Sequence, residues 1–574
     1  MKRWEIACAS LGAFLLLASA WTIHRVELPR ETFSLRAAGC SMPITIVEPP
    51  QPSRASAILF HGLAANRRVM QLLGENLARR NGLRAYLVDL PGHGDNTDAF
   101  SFARAQKCAA ATVETLIRSR GIDPKQTVLV GHSMGAAIAI SLADSEPVAS
   151  TIAISPAPLV LPHRMPANLL VFSARYDIAP LKQQAQALAA AAGGDRATPE
   201  DFLQLRAFHL QMVSLADHTS VLVDPRVTEQ AVNWIRDSLD ENSGPPQANA
   251  NPKSVALLGA ALAPFVGLAA LLMMFPAALA LATRSLQPPE REVATAQPTR
   301  ALALAEGAAL ALVSVFLLAF GVPLKALPGY SGEGLIFVLV VVAAFMLALD
   351  HEAREKSWRW NPFPFIAIAI LGFVAMLEIG GWLDWRVPLE FLHMYSADYL
   401  VSLLAIFAVL LLAMNRQAAQ QSWSFKPRPW LVAAILGFTV ILTIGSWLNW
   451  RVSDLWLNEA RWLRFVAILP FAFVFAFAEE TILGPVREGK QRLTRYAVSL
   501  LLRLELWLAC LLAFYTLSSG QFLIALLITA LAIFSILQRL GTDALRRRTG
   551  SPTAAALFNA ILAAWFVAAV FPLA

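Results

Sequence analysis

Residues 127–143 read TVLVGHSMGAAIAISLA and combine three kinds of local pattern. The aliphatic run at 127–130 is typical of a buried strand, and the small and aliphatic residues after Met134 are typical of a buried helix. Between them, Ser133 lies two residues from Gly131 and two residues from Gly135. A turn this tight needs glycine on both sides of the serine, because a side chain there would collide with the backbone. The segment therefore predicts a strand, a sharp turn and a helix, with Ser133 as a candidate nucleophile.

The sequence on both sides of this segment alternates short apolar runs with helical patterns. Such alternation predicts a parallel sheet covered by helices on both faces, with the chemistry at the carboxyl ends of the strands. We predict strands at 55–62, 84–94 (strand and loop), 127–131, 148–155 and 167–174, a strand-like run near 210–216, and helices at 68–82, 103–120, 134–145, 180–192 and 226–239.

Three motifs in this region resemble those of the α/β-hydrolase family, and within it the lysophospholipase-like and acylglycerol-lipase-like serine hydrolases. They are FHGL at 60–63, DLPGHGDN at 89–96 and GHSMG at 131–135. By itself G-x-S-x-G is a weak signal, but between a strand and a helix it is a strong one. The resemblance covers about 200 residues, a little over a third of the chain. It implies the α/β-hydrolase fold, a mostly parallel sheet with helices on both faces.

The resemblance also implies a set of site residues. The family's chain order for the catalytic triad is matched by Ser133, Asp177 and His218, with the backbone N–H groups of Leu63 and Met134 as the oxyanion hole. The residues that would support these positions are His61, Gly62, Gly131, His132 and Gly135.

Each role has competitors in the sequence. His163 and His209 lack the required location for the general base, and Asp217 adjoins His218 and is expected to face away from it. The triad roles follow from chemistry: a serine hydroxyl needs a base to accept its proton, and a carboxylate orients that base. No metal or other cofactor is predicted.

The connection after the strand that ends near Ser155 is short. Many relatives insert a lid of tens of residues there, whereas this chain has only PAPLVLPHRMP at 156–166. The loop is apolar, which suits an acyl chain or contact with a bilayer, and ordinary packing explains it equally well.

The composition of the whole chain is that of a membrane protein. Of the 574 residues, 56% are hydrophobic and only 15% are charged, whereas soluble proteins carry about 25% charged residues. Apolar runs of membrane-spanning length follow one another after residue 250. We predict residues 1–24 as a signal anchor or signal peptide, 25–250 as the hydrolase domain, and 251–574 as a domain of about ten spans, at roughly 254–283, 300–321, 333–349, 363–383, 398–414, 429–448, 464–478, 496–516, 520–537 and 553–573.

The positive charges favour one orientation of these spans. Predicted inner loops carry 17 Lys and Arg residues and predicted outer loops at most five, which places the hydrolase domain on the periplasmic or extracellular side of an inner (cell) membrane. The formal net charge of +7 is explained by these loops. Since no basic stripe with interleaved aromatic residues is present, we predict no nucleic-acid partner.

An internal repeat relates residues 362–387 to residues 427–452 at a constant offset of 65. Both copies share P-x-P, A-I-L-G-F and I-G-x-W-L-x-W-R-V. Duplication of a helical hairpin explains the repeat, and the alternative is a matched pair of Trp-Arg edges that bind lipid headgroups or face the soluble domain. The four cysteines show no C-x-x-C spacing; a Cys40–Cys108 disulfide is possible outside the cytoplasm, but the spacing does not support it.

The sequence thus predicts a membrane-bound serine hydrolase that cleaves an ester or thioester with a lipid-like acyl group, and membrane lipids as partners. Three alternatives remain open: a transporter or channel with a regulatory or inactive hydrolase-fold domain, an acyltransferase that uses the same triad, and a peptidase. The substrate, the oligomeric state and cleavage of the N-terminal segment are not determined by the sequence.

Overall fold

The computed structural model describes residues 2–51, 55–63, 65–177, 179–239, 254–284, 286, 426–451, 457–483 and 523–570. Five predicted spans, at 300–321, 333–349, 363–383, 398–414 and 496–516, lie outside the described residues, as does the first copy of the repeat at 362–387.

An eight-stranded sheet forms the centre of the N-terminal half, in the order β1-β2-β4-β3-β5-β6-β7-β8. Strands β3 to β8 run parallel to one another, whereas β1 and β2 form an antiparallel hairpin joined to β4 at one edge. The strands are β1 Arg30–Ala37, β2 Cys40–Val47, β3 Ser56–Phe60, β4 Arg84–Val88, β5 Thr127–His132, β6 Ser150–Ile154, β7 Leu169–Ala174 and β8 Phe208–Val213.

Helices cover both faces of this sheet. In chain order they are α2 Gln71–Asn81, α3 Phe102–Arg120, α4 Met134–Ala143, α5 Ala179–Ala192, α6 Pro199–Leu203 and α7 Pro225–Ser238. A further helix, α1 Arg3–Val26, precedes β1 in the chain. Successive side chains of a strand point to opposite faces. Leu59 accordingly packs with residues of α2 and α7, and Ile58 and Phe60 pack with residues of α3. Both faces of the central strands are therefore buried.

The predicted elements of this half are confirmed in type and order, with bounds that shift by a few residues. The hairpin of β1 and β2 and the short helix α6 were not predicted. Strand β1 lies at the sheet edge and alternates polar with apolar residues, and β2 contains Pro43, a residue that is usual only in edge strands or bulges. The mostly parallel sheet with helices on both faces confirms the predicted α/β-hydrolase fold.

The described part of the C-terminal half is helical. Its helices are α8 Ser254–Ala282, α9 Pro427–Arg451, α10 Glu459–Leu483, α11 Leu523–Thr549 and α12 Pro552–Val570. Within the described residues, four helical segments are long and apolar enough to cross a membrane: Arg3–Arg25, Leu262–Ala282, Pro427–Trp450 and Pro552–Ala569. These are consistent with a membrane protein; the predicted span 464–478 falls within α10, and the described part of the predicted span 520–537, residues 523–537, falls within α11.

Polar side chains are buried between the last of these helices. Arg539 of α11 forms ion pairs with Glu480 of α10 and with Asp543 of its own helix. Asn559 of α12 donates to Glu479 Oε2 at 3.1 Å. Because buried charges are costly unless they are paired, these contacts tie the three helices together.

Candidate active site

Ser133 occupies the turn between β5 and α4, and its backbone is in an unusual conformation. Its φ of 54° and ψ of −117° lie outside the regions that side chains ordinarily allow. The two glycines explain how the turn fits: a Cβ on Gly131 would lie 2.1 Å from the Gly135 carbonyl oxygen, and a Cβ on Gly135 would lie 2.3 Å from the Phe60 carbonyl oxygen. The structure thus places Ser133 on a strained bend that is closed to larger residues on both sides.

Asp177 and His218 are paired at the same edge of the sheet. Asp177 follows β7, His218 follows β8, and Asp177 Oδ1 lies 3.0 Å from His218 Nδ1. Both residues are buried. A carboxylate accepts hydrogen bonds, so His218 Nδ1 carries the hydrogen and the other ring nitrogen, Nε2, is left as a hydrogen-bond acceptor.

Asp217 holds the loop that carries His218. Its Oδ1 accepts hydrogen bonds from the backbone N–H groups of Thr219 at 3.0 Å and Ser220 at 2.8 Å, and from both hydroxyls. Burial opposes ionisation of this carboxyl, but the hydrogen bonds from Ser220 and Thr219 outweigh it and lower the pKa of Asp217. The sequence D-H-T-S carries the signal of such an Asx turn. Asp217 thus fixes the loop, which agrees with its exclusion as the triad acid.

His132 connects the nucleophile turn to the His218 loop. Its Nε2–H donates to the His218 carbonyl oxygen at 2.8 Å, and the two imidazole rings lie 4.7 Å apart at 38°. Burial, and then the neighbouring His218, hold the pKa of His132 well below its usual value. His132 is therefore neutral, contacts His218, the predicted base, and directly precedes Ser133, the predicted nucleophile.

The loop after β3 lies against the nucleophile. A Cβ added to Gly62 would lie 2.9 Å from His132 Nδ1 and 3.0 Å from Ser133 Cβ. Leu63 follows directly, and Met134 begins α4, so its N–H is one of the first N–H groups of that helix and has no intrahelical acceptor. The fold thus brings Leu63, through its neighbour Gly62, near Ser133, and Met134 adjoins Ser133 in the chain.

His61 links this loop to the D-x-P-G-H-G segment. Its Nδ1–H donates to the Gly62 carbonyl oxygen at 2.7 Å, and its Nε2 accepts from the Leu90 N–H at 3.0 Å. Because burial outweighs the nearby Asp89 carboxylate, the pKa of His61 is lowered. A neutral His61 can act as donor and acceptor at once, which supports its predicted structural role.

Asp89 anchors the same segment, a contact that the sequence did not reveal. Its carboxylate is buried, forms an ion pair with Arg67, and accepts from the Arg67 N–H at 2.7 Å and the Asp95 N–H at 3.0 Å. Gly94, at φ 52°, comes so close that a Cβ would lie 2.3 Å from Asp89 Oδ2. The D-x-P-G-H-G motif is therefore a folded loop around one buried carboxylate.

A disulfide joins Cys40 of β2 to Cys108 of α3. The cysteine spacing in the sequence did not support this pairing, since the two residues are 68 positions apart and only the fold brings β2 beside α3. Among the residues that the structure describes, no group of three or more His, Cys, Asp or Glu side chains could hold a metal ion.

Comparison with known proteins matches part of the chain to one family. Residues 51–199 match the family model described as Hydrolase_4, serine aminopeptidase, S33. This match and the fold confirm the prediction of a serine hydrolase of α/β type. No curated protein matches the chain.

Solved structures of similar fold are distant. A predicted CIB-like hydrolase from Thermoplasma acidophilum is 19% identical, with 37% of this chain and 99% of that chain covered and a TM-score of 0.31. An esterase from Pyrobaculum calidifontis is 15% identical, with 41% and 93% covered and a TM-score of 0.30. The carboxylesterase EstE1, cloned from a metagenomic library, is 17% identical, with 41% and 98% covered and a TM-score of 0.31.

Proposed function

We propose that the chain is a membrane-bound serine hydrolase that cleaves an ester or thioester, with Ser133 as nucleophile, His218 as general base and Asp177 as its orienting carboxylate. The observation that carries the proposal is the buried Asp177–His218 pair, whose Oδ1 and Nδ1 atoms lie 3.0 Å apart. The loop that carries His218 is held to the Ser133 turn by the hydrogen bond from His132 to the His218 carbonyl oxygen. Carboxylate and imidazole in this arrangement form the two supporting members of a serine triad.

The reaction proceeds in two acyl-transfer steps. His218 Nε2 accepts the Ser133 proton while the serine oxygen bonds to the acyl carbon, and the same proton then goes to the leaving alcohol or thiol. Water, activated by His218, releases the acid and restores the serine. The negative oxygen that forms in each step is stabilised by the N–H groups of Leu63 and Met134. Met134 is the first residue of α4, where the helix dipole favours negative charge.

The apolar character of the entrance supports an acyl substrate. The 156–166 connection, which takes the place of a longer lid, exposes Val160 and Leu161. Leu159 and Met165 of the same loop pack on the core beside α5. Apolar side chains at the mouth of a site favour the transfer of an acyl chain out of water.

Two features support an outer-face, membrane-bound location. Disulfides persist in oxidising compartments and are rare in the cytosol, so the Cys40–Cys108 bond is consistent with a periplasmic or extracellular domain. The four apolar helices are of spanning length. Membrane lipids would then be both the surroundings and a source of substrate.

The test uses the full chain in detergent or proteoliposomes. A fluorophosphonate probe is expected to label the protein at Ser133, and hydrolysis of p-nitrophenyl butyrate is expected to fall at least about 10³-fold in Ser133→Ala. The matched control is Ser155→Ala, a buried serine after the neighbouring strand β6. Equal labelling and equal turnover in Ser133→Ala would remove the proposal.

A second candidate is a peptidase, because the matching family model is described as a serine aminopeptidase and the same triad cleaves amides. Turnover of aminoacyl p-nitroanilides by the purified chain, compared with turnover of p-nitrophenyl esters, distinguishes the two. A Ser133-dependent preference for the anilides would favour the peptidase.

A further inference from the structure

The predicted base lies on a loop, whereas the predicted nucleophile lies at the end of a central strand. His218 belongs to the segment 214–219, which follows β8 at the edge of the sheet. Ser133 follows β5, a buried strand that is paired with β3 on one side and β6 on the other. The Ser133 N–H donates to the Ile154 carbonyl oxygen at 2.9 Å. A base must keep a fixed distance from its nucleophile, so the loop of His218 needs support from the rigid side of the site.

His132 reaches that loop from the rigid side. It is the last residue of β5 and is 4% exposed. Its Nε2–H donates to the His218 carbonyl oxygen at 2.8 Å, and the two imidazole rings lie 4.7 Å apart. His132 therefore holds the main chain of the predicted base, whereas Asp177 holds its ring through Nδ1.

The second ring nitrogen of His132 carries an energetic cost. Because His132 is neutral and Nε2 is the donor, Nδ1 has no hydrogen and can only accept. Nδ1 is buried and has no hydrogen-bond partner among the residues that the structure describes. A Cβ on Gly62 would lie 2.9 Å from it. Burying an acceptor without a donor is unfavourable, and such violations are expected at functional sites. The hydrogen bond to His218 is the contact that accounts for a histidine at this position.

We propose that His132 is a positioning residue of the hydrolase reaction. By fixing the main chain of His218, it keeps the Nε2 atom of the base within reach of the Ser133 hydroxyl through both acyl-transfer steps. This role rests on the proposed function of the triad, and in it His132 exchanges no proton with the substrate. The competing explanation is a purely structural role, in which the hydrogen bond stabilises the domain and the base stays in place without it.

Two polar substitutions distinguish the explanations. The side-chain nitrogen of glutamine is separated from Cβ by as many bonds as Nε2 of histidine, whereas the nitrogen of asparagine is one bond closer, like Nδ1. His132→Gln therefore keeps a donor for the His218 carbonyl oxygen, and His132→Asn is polar but too short to supply one. His132→Leu removes the donor with an apolar side chain and serves as a second variant without it.

The kinetic test measures hydrolysis of p-nitrophenyl butyrate by the full chain in proteoliposomes. We expect kcat to fall about 30-fold in His132→Asn and His132→Leu and less than about threefold in His132→Gln, because a displacement of about 1 Å can cost about 100-fold in rate. KM is expected to stay within about threefold, since acylation and deacylation slow together. Equal losses in the glutamine and asparagine variants, or no loss in either, would overturn the positioning role. If neither variant without the donor folds, as judged by protease resistance, only the structural role is left.

A second measurement does not depend on activity. Amide hydrogen exchange of segment 214–222 reports how firmly the loop of His218 is held. Exchange there is expected to be several-fold faster in His132→Asn than in the wild-type chain and unchanged in His132→Gln, with helix α3 as an internal control that exchanges equally in all. Unchanged exchange in His132→Asn would contradict the proposal. If the wild-type chain cleaves no ester and takes no fluorophosphonate, the proposed function fails, and the exchange experiment still decides whether His132 holds the His218 loop.

Discussion

The Cys40–Cys108 disulfide allows a quantitative prediction, because its contribution follows from the length of chain that it closes. The bond joins residues 68 positions apart. For a loop of that length, the loss of entropy in the unfolded chain corresponds to about 4 kcal/mol at 25 °C. Both cysteines are buried, so alanine fills each site without introducing an unsatisfied polar group. We therefore expect the double variant Cys40→Ala/Cys108→Ala to lower the stability of the sheet domain by about this amount.

The assay is protease resistance of the full chain in proteoliposomes as the temperature is raised. For a domain of this size, a loss of 4 kcal/mol corresponds to a fall of roughly 10 °C in the temperature at which half of the domain is cut. Cys8→Ala is the matched control, because Cys8 is a free cysteine. It is expected to leave the midpoint unchanged, and a reducing agent is expected to lower the midpoint of the wild-type protein toward that of the double variant.

Two results would refute the reasoning. If the double variant and Cys8→Ala melt within about 2 °C of each other, the loop argument overestimates the contribution of the bond. If a maleimide reagent labels three cysteines in the range 1–239 of the denatured, unreduced protein, the bond is not formed in the cell. The second result would also remove the main structural support for an outer-face location.

Three further predictions concern the site and the loops around it. Asp177→Asn is expected to reduce hydrolysis of p-nitrophenyl butyrate by about 10⁴-fold with little loss of folded protein, because the amide disturbs the His218 tautomer; a loss below tenfold would argue against the pair. Asp89→Asn is expected to destabilise the domain by less than the roughly 3–5 kcal/mol that an unpaired buried charge costs, because Arg67 loses the Asp89 carboxylate but keeps its ion pair with Asp95, and Asp237→Asn, at an exposed position of α7, serves as control in the same protease assay. The lowered pKa of His132 means that below about pH 6.5 the unfolded chain binds a proton that the folded chain does not. Stability should therefore fall with decreasing pH, by up to about 1.4 kcal/mol per pH unit, and His132→Gln should make the fall less steep; an unchanged slope would contradict this.

The fold was predictable because its elements carry strong local patterns. The buried strands at 56–60 and 127–132 are short apolar runs. Helix α3 begins after the capping residue Ser101 and ends at Gly121, and α7 begins at Pro225, which are the residue types that usually start and stop helices. The hairpin of β1 and β2 escaped prediction because one of its strands is exposed and the other contains a proline.

The sequence motifs named candidate site residues but not the contacts that these residues make. The triad and oxyanion residues followed from motifs, and they remain predictions until activity is measured. The Arg67–Asp89 pair and the Cys40–Cys108 bond join residues that are far apart in sequence. Such pairings depend on strand order, which alternation alone does not determine. The hydrogen bond from His132 to the His218 carbonyl likewise requires the loop after β8 to be placed in space.

The interlocking glycines around Ser133 have a consequence for how this protein can change over generations. Alanine at Gly131 or at Gly135 places a methyl group within 2.3 Å of a backbone oxygen, and backbone yields far less readily than the tip of a side chain. The serine itself meets no such barrier, since another small residue can occupy its position. A descendant that abandons chemistry is thus expected to lose the hydroxyl first and to keep both glycines long afterwards.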